Sequence, residues 1–367
     1  MAEVILTSFL PFTGCTGGAK RVLAHLGIAL RKTCGKSLVH WRGRMDLARA
    51  HGSGAGAWIW RGRMDKDKDK LFVIGDSVVW GQGLAHEHKT AGILARRLGA
   101  EIQMMAHSGA KIGIRDSYTV TMPSGEVPCF FPTIVQQLQG FTGDPARVKW
   151  VLMNGGINDV EVQRVFNPMT PQYELELHTR NYCGRDLLMI LQQVAARFAN
   201  ALVLVLGYYP ALSHQSRPEG VEALYELVHG VKFAPLFDRA LFRNEIVEHC
   251  LRFWKLSTGL LRSAVEHVNR EAGSLRAVFV DSGMEEANAA YAPESLLWEL
   301  DLNGPAAAPD EVVAERQAAC DLVGAGDLQK RQILLSSAGH PNVAGAARMA
   351  ERCIRALAAA DAMRAAI

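Results

Sequence analysis

The sequence predicts an α/β protein with a mainly parallel sheet and helices on both of its faces. Two observations predict it: short apolar runs that end at glycine or polar residues, and amphipathic stretches of helical spacing between them. Continuous apolar runs are typical of strands that are buried on both faces. Because such runs alternate with helices along the chain, the strands are expected to lie parallel in one sheet.

The predicted elements begin near residue 71. In chain order, strands are expected at 71–74, 102–106, 148–153, 202–206 and 277–280. Helices are expected at 88–98, 131–141, 185–199 and 342–364. About seventy residues separate the fourth and fifth strands, which is more than one crossover helix needs.

This insertion, 211–275, has mostly helical spacing and allows two interpretations. It is either extra packing on one edge of the sheet or a cap over a site. The cap is favoured, because α/β sheets bind ligands at the carboxyl ends of their strands.

Residues 1–70 are predicted to form a basic and aromatic arm ahead of a main domain at 71–367. A six-residue segment, Trp41-Arg42-Gly43-Arg44-Met45-Asp46, recurs at 60–65. Two copies are too few for a repeat architecture. The favoured interpretation is a duplication within a surface arm. The alternative is a weak contact of residues 41–65 with an anionic membrane surface.

Charge and cysteine content exclude several classes of protein. The 40 basic and 37 acidic residues nearly balance, which argues against a nucleic acid as partner. The seven cysteines are scattered and lack C-x-x-C spacing, which argues against a disulfide framework or structural zinc. No apolar run reaches the ~18 residues of a membrane span, and the N-terminal stretch is a poor signal peptide. We expect a soluble, cytoplasmic protein of undetermined oligomeric state.

Four segments carry groups that acyl transfer requires. Gly75-Asp76-Ser77 follows the first predicted strand, and Gly109 lies just after the second. Asn158 follows the third strand, and His340 precedes the last helix. Together they offer a hydroxyl nucleophile, an imidazole base, and donors for a developing oxyanion.

These segments resemble the signature blocks of the SGNH, or GDSL, hydrolases, and they stand in that family's order across residues 71–360. The resemblance implies a three-layer α/β/α flavodoxin-like fold and an esterase or lipase that needs no metal or other cofactor. It makes Ser77 the nucleophile and His340 its general base. The oxyanion is then bound by the backbone N–H groups of Ser77 and Gly109 and by the side-chain amide of Asn158.

One departure concerns the acid that orients the histidine. The family has an aspartate three residues before the histidine, where this chain has Ser337. His340 is then oriented by a backbone carbonyl or by the Ser337 hydroxyl, or a distant carboxylate reaches it. The candidates for that carboxylate are Asp281, Asp301 and Asp327. Because loss of the acid is costly in other triads, an inactive SGNH fold that serves as a binding module is the alternative.

The expected substrate is a small-molecule or lipid-like ester, because the insertion and the end of the fourth strand offer apolar walls. Four residues are candidates for lining its pocket: Trp80, His107, Tyr208 and Tyr209. A carbohydrate O-acetyl esterase is the alternative within the class. The segment His86-Glu87-His88 suggests a metal site but lacks a third ligand at helical spacing, so a polar helix start is favoured.

Overall fold

The computed structural model describes residues 68–114, 125–127, 132–234, 238–302, 310–323 and 327–365. The chain divides into two units, 1–56 and 57–367, and every described residue belongs to the second. The predicted arm lies outside the described residues except for its last three, so the arm and its membrane contact stay predictions.

Five parallel strands form the sheet of the described unit. They are β1 (Lys70–Ile74), β2 (Glu101–Met104), β3 (Val148–Met153), β4 (Leu202–Leu206) and β5 (Ala277–Val280). Their order is β2-β1-β3-β4-β5, and each neighbouring pair is parallel. This is the strand order of flavodoxin-like, doubly wound sheets. The predicted three-layer α/β fold is therefore confirmed.

The helices occupy the segments between and after the strands. They are α1 (Ser77–Trp80), α2 (Thr90–Leu98), α3 (Ile134–Gln139), α4 (Ile157–Val160), α5 (Val162–Phe166), α6 (Gln172–Thr179), α7 (Leu187–Arg197), α8 (Pro218–His229), α9 (Arg239–Ala272), α10 (Val313–Val323), α11 (Asp327–Leu334) and α12 (Val343–Ala365). A π-helical segment, Arg180–Asp186, runs directly into α7.

The helices form two layers around a buried sheet. On one face α2 and α12 contact each other, and on the other α7 packs between α3 and α9. Right-handed crossovers explain this arrangement. The β1–β2 connection crosses the sheet in the opposite direction to the later connections, so its helix α2 lies on one face, where α12 packs beside it. The later connections place α3, α7 and α9 on the other face. Phe72 and Phe141 meet edge to face with ring centroids 5.1 Å apart. Strand β4 is buried along its whole length, as a central strand should be.

The insertion after β4 consists of helices α8 and α9, and α9 contributes to the outer layer. One part of α9 reaches the segment after β3, where Nδ1 of His249 lies 3.1 Å from the carbonyl oxygen of Asn167. Near its end, the amide of Asn269 donates to the carbonyl of Ala277 at 2.8 Å. The insertion therefore packs along one face of the domain, and its interpretation as a cap stays a prediction.

The strand order reverses at β1, and this reversal locates the predicted site. The chain passes from β1 to β2 on one side and from there to β3 on the other side of β1. Open α/β sheets bind ligands outside the carboxyl ends of their strands at such a reversal. Ser77 follows β1 and Asn158 follows β3, so both border the same crevice.

Two further observations concern the environment of the chain. Within the described ranges, every helix is too short or too polar to cross a lipid bilayer. Among the described residues, four cysteines are buried free thiols: Cys183, Cys250, Cys320 and Cys353.

Candidate active site

Ser77 is presented by a tight turn between β1 and α1. The Asp76 carboxylate caps α1 by accepting a hydrogen bond from the N–H of Val78 at 2.9 Å. Gly75 has a φ of +139°, and a Cβ there would lie 2.4 Å from Oδ1 of Asn154. Only glycine fits this turn, because a side chain would collide with the end of β3.

The Asp76 carboxylate connects the turn to two other strand ends. The side-chain amide of Asn154 donates to it at 2.9 Å, and the Tyr208 hydroxyl donates to it at 2.8 Å. Burial raises the pKa of Asp76, and the hydrogen bonds from Val78, Tyr208 and Asn154 act in the opposite direction. The same Tyr208 hydroxyl accepts the N–H of Ile157 at 3.0 Å. Asp76 therefore orders the loops around Ser77.

His340 lies directly against Ser77. Its Nε2 is 2.7 Å from Oγ of Ser77, although the two residues are 263 positions apart in the chain. The backbone holds His340 from both sides, because its N–H donates to the Ser337 carbonyl at 2.9 Å and its carbonyl accepts the Trp298 N–H at 2.7 Å. The structure thus brings together the two residues that the sequence predicts as nucleophile and base.

The imidazole of His340 is kept neutral by its surroundings. Burial lowers its pKa to about 4, nearby backbone carbonyls led by that of Ser337 raise it, and the Arg316 charge lowers it. Nδ1 is buried and makes no hydrogen bond within the described part of the chain. At neutral pH the ring is therefore uncharged, which is the form that accepts a proton.

Three N–H donors of the predicted oxyanion site lie in the loops around Ser77. Within the described residues, the backbone N–H groups of Ser77 and Gly109 make no hydrogen bond. The Asn158 amide donates one N–H to the Ala110 carbonyl at 3.0 Å, which leaves its second N–H for a ligand. The Asp159 carboxylate accepts the N–H of Ile112 at 3.0 Å and so fixes the loop that carries Gly109.

A buried polar cluster occupies the position of the missing acid. The Ser337 hydroxyl donates to Oδ2 of Asp310 at 2.5 Å. The same Asp310 oxygen forms a fully buried ion pair with Arg316. Arg316 also lies 3.4 Å from the Glu126 carboxylate, and Lys89 lies 3.4 Å from Glu126.

Two of the three carboxylates suggested by the sequence, those of Asp281 and Asp301, make no hydrogen bond to Nδ1 of His340. The Asp281 side chain accepts the Gly283 N–H at 2.7 Å and lies 4.0 Å from Arg352. Asp301 is exposed to solvent, and the side chain of Asp327 lies outside the described residues. Sequence reasoning missed Asp310, which belongs to no recognisable motif and precedes Ser337 by 27 positions.

The four residues predicted to line the pocket fall into two pairs. Trp80 stacks on His107 with ring centroids 6.5 Å apart, and its indole N–H donates to Glu126 at 2.8 Å. Tyr208 and Tyr209 are buried, and the Tyr209 hydroxyl donates to the Gly339 carbonyl at 3.1 Å. Both tyrosine hydroxyls hold site loops, and substrate contact by any of the four stays a prediction.

The segment His86–His88 forms a 3-10 turn rather than the start of a longer helix. Nδ1 of His88 lies 2.6 Å from the Glu311 carboxylate. Across the described ranges, no three histidine, cysteine, aspartate or glutamate side chains converge as a metal site would require.

A small polar cavity of about 90 Å³ lies beside the loops that carry Gly109 and Asn158. Its lining consists of Lys111, Ile114, Asp159, Glu161, His178, Tyr182 and Asp186. Lys111 and Asp159 belong to the same segments as Gly109 and Asn158, which are two residues of the predicted oxyanion site.

Comparison with known proteins gave matches among solved structures. No family model and no curated protein matches the sequence. Phospholipase A1 from Streptomyces albidoflavus NA297 is 14% identical with a TM-score of 0.45, over 79% of this chain and 99% of that chain. An extracellular lipase from Streptomyces rimosus is 13% identical with a TM-score of 0.44, and the match covers 78% of this chain and 99% of the lipase chain. A family two carbohydrate esterase from Clostridium thermocellum is 15% identical with a TM-score of 0.37, and the match covers 78% of this chain and 62% of the esterase chain.

We predict that the imidazole of His340 titrates near pH 4. Above that pH the buried ring stays neutral, because its protonated form is poorly solvated. Histidine-labelled protein followed by NMR from pH 7 to about pH 2.5 measures this midpoint, and the signal that disappears in His340→Asn assigns it. A His340 midpoint near 6.5, the usual value for histidine, would contradict the buried environment.

Proposed function

We propose that this chain is a serine ester hydrolase of the SGNH type, which cleaves carboxylic esters through an acyl-enzyme on Ser77. The observation that carries the proposal is the 2.7 Å contact between Nε2 of a neutral His340 and Oγ of Ser77. The contact lies at the reversal of strand order, beside the N–H groups of Ser77 and Gly109, which make no hydrogen bond within the described residues, and this supports the same conclusion.

The proposed reaction proceeds in two acyl transfers. Oγ of Ser77 attacks the ester carbonyl while Nε2 of His340 takes the hydroxyl proton, and the carbonyl oxygen becomes an oxyanion. The oxyanion accepts hydrogen bonds from the N–H groups of Ser77 and Gly109 and from the Asn158 amide. The imidazolium then gives its proton to the leaving alcohol oxygen as the C–O bond breaks. Water repeats the sequence on the acyl-enzyme and releases the acid.

An apolar ester is the proposed substrate, and exposed apolar side chains near the site support it. Tyr173 is 73% exposed and Leu177 is 53% exposed. They are four residues apart on α6 and share one face of that helix. Met169, also 73% exposed, precedes this helix. We propose that a lipid-like ester approaches along this surface, because α6 contacts α4, the helix that carries Asn158.

The polar cavity supports a second candidate, an O-acetyl ester of a carbohydrate. Charged and hydroxyl groups of Lys111, Tyr182 and Asp186 line it, and Nδ1 of His178 is buried there without a hydrogen bond in the described residues. Burial lowers the pKa of His178, so the neutral ring offers one donor and one acceptor. Such a lining suits hydroxyl groups better than an acyl chain.

We expect a fluorophosphonate probe to label the wild-type protein and not Ser77→Ala, because only an activated serine reacts with it. His340→Ala should slow the labelling strongly, since the hydroxyl then has no base. Gel fluorescence after timed labelling measures both effects.

The matched control is Ser257→Ala, which removes a fully buried hydroxyl within α9. This variant should label like the wild type. Absence of wild-type labelling, under conditions that label a known serine esterase, would refute the proposed chemistry. A binding module with an SGNH fold would then be the better interpretation.

Asn158→Ala should lower kcat by about 100- to 1000-fold with little change in KM, because the oxyanion loses a donor that acts in the transition state. Steady-state hydrolysis of a p-nitrophenyl ester measures this effect. The control is Gln192→Ala, which removes a surface amide that donates to Glu271 at 2.8 Å. If Asn158→Ala kept its kcat, Asn158 would have no part in the oxyanion site.

An ester series should distinguish the two substrate classes. For an apolar pocket, kcat/KM should rise from acetate through butyrate to octanoate p-nitrophenyl esters, because each buried methylene contributes about 0.8 kcal/mol. Acetylated xylose and glucose serve as the polar comparison. Activity confined to acetyl esters, with acetylated sugars preferred, would reject the apolar assignment in favour of the carbohydrate esterase.

A further inference from the structure

A chain of buried polar contacts begins where the SGNH pattern has its aspartate. The Ser337 side chain has no exposed surface, and its hydroxyl donates to Asp310 at 2.5 Å. The ion pair of Asp310 with Arg316 has no exposed side-chain surface on either residue. Each partner compensates the other, because an unpaired charge could not remain at this depth.

The contacts continue to the helix that carries the nucleophile. Arg316 lies 3.4 Å from Glu126, and this carboxylate accepts the Trp80 indole N–H at 2.8 Å and the Gly83 N–H at 3.2 Å. Trp80 is the last residue of α1. A Cβ on Gly83 would lie 2.7 Å from Cβ of Ser337, so the loop after α1 packs directly on that serine.

Ser337 in turn determines where the imidazole lies. Its carbonyl accepts the backbone N–H of His340 at 2.9 Å and is the foremost of the carbonyls that act on the ring. A neutral imidazole that accepts a proton at Nε2 carries its single N–H proton at Nδ1. That side of the ring is buried, and within the described residues no carboxylate bonds to it.

We infer that Asp310 is a positioning residue for His340, which acts through the Ser337 hydroxyl and replaces the aspartate that the SGNH pattern places beside the histidine. The inference rests on the proposed function. Asp310 fixes the Ser337–His340 turn, so Nε2 stays in line with Oγ of Ser77. Because Arg316 compensates its charge, Asp310 contributes geometry rather than a negative charge at the imidazole.

Two variants test this role, and they differ in what they remove. Ser337→Ala removes the hydroxyl and leaves the Asp310–Arg316 pair intact. It should lower kcat by about 10- to 100-fold with KM nearly unchanged, the scale expected for a misplaced catalytic group. Asp310→Asn should lower kcat at least as much. The double variant should lose no more than Asp310→Asn alone, since both changes break one chain of contacts.

The pH profile separates positioning from a charge effect. Among charged groups, Arg316 lowers the pKa of His340. Arg316 pairs with Asp310 and lies near Glu126, which in turn lies near Lys89. Asp310→Asn leaves the Arg316 charge less compensated, so the His340 midpoint and the acidic limb of kcat/KM should move to lower pH. Ser337→Ala changes no charge, so the acidic limb of its kcat/KM profile should stay at the wild-type pH while kcat falls. Ser282→Ala, which removes another buried hydroxyl, is the control and should match the wild type.

Thermal unfolding of each variant shows whether a loss of activity reflects a loss of fold. Wild-type kcat in a folded Ser337→Ala, or losses that multiply in the double variant, would overturn the positioning role. If the wild type neither labels nor hydrolyses esters, the proposed function fails, and the NMR signal of His340 decides this inference separately. A displaced or broadened signal in Ser337→Ala supports positioning, and an unchanged signal rejects it.

Discussion

The buried carboxylate of Asp76 is the contact on which the arrangement of the site depends. It follows β1, accepts a hydrogen bond from Asn154 after β3, and accepts another from Tyr208 after β4. A carboxylate at this depth requires several donors, and burial has raised its pKa despite them. The three strand ends must therefore keep their spacing for the carboxylate to remain satisfied. The position of Ser77 is set by the same requirement, since Asp76 also caps its helix.

The other half of the site reaches Ser77 from the far end of the sequence. The turn that carries His340 is bound by Trp298, Tyr209 and Asp310, which belong to three separate segments. A buried pair such as Asp310 and Arg316 adds little net stability, because desolvation consumes most of its attraction. Breaking it is costly, however, and it tolerates only one geometry. We expect such a pair to favour one conformation of the turn that lies next to Ser77.

The sequence predicted the strands well and the short helices poorly, for physical reasons. Strands β1 and β4 are apolar runs with nearly every residue buried, so their hydropathy alone identifies them. Strand β2 is half-buried at the edge of the sheet and alternates polar with apolar residues. Helices α4 to α6 are short, and α6 exposes Tyr173 and Leu177, so no apolar periodicity marks them. Ser77, Gly109, Asn158 and His340 follow strands or precede a helix, where their position could be inferred. Asp310 could not be found in this way, because its partner is a serine in a distant segment and the contact depends on the folded chain.

On the proposed mechanism, the missing carboxylate changes how the base is stabilised. A pKa of about 4 makes His340 a weak base in the free protein, and forming its imidazolium at this depth is costly by roughly 3 kcal/mol relative to an ordinary histidine. In an aspartate-containing triad, a neighbouring negative charge offsets that cost. Here the only new negative charge is the oxyanion, which forms within the same step and close to the ring. The base and the oxyanion donors are therefore energetically coupled, because each charge stabilises the other as both appear. On this mechanism the site depends on geometry more than on a resident charge, which agrees with the proposed role of Asp310 as a residue that only positions the histidine.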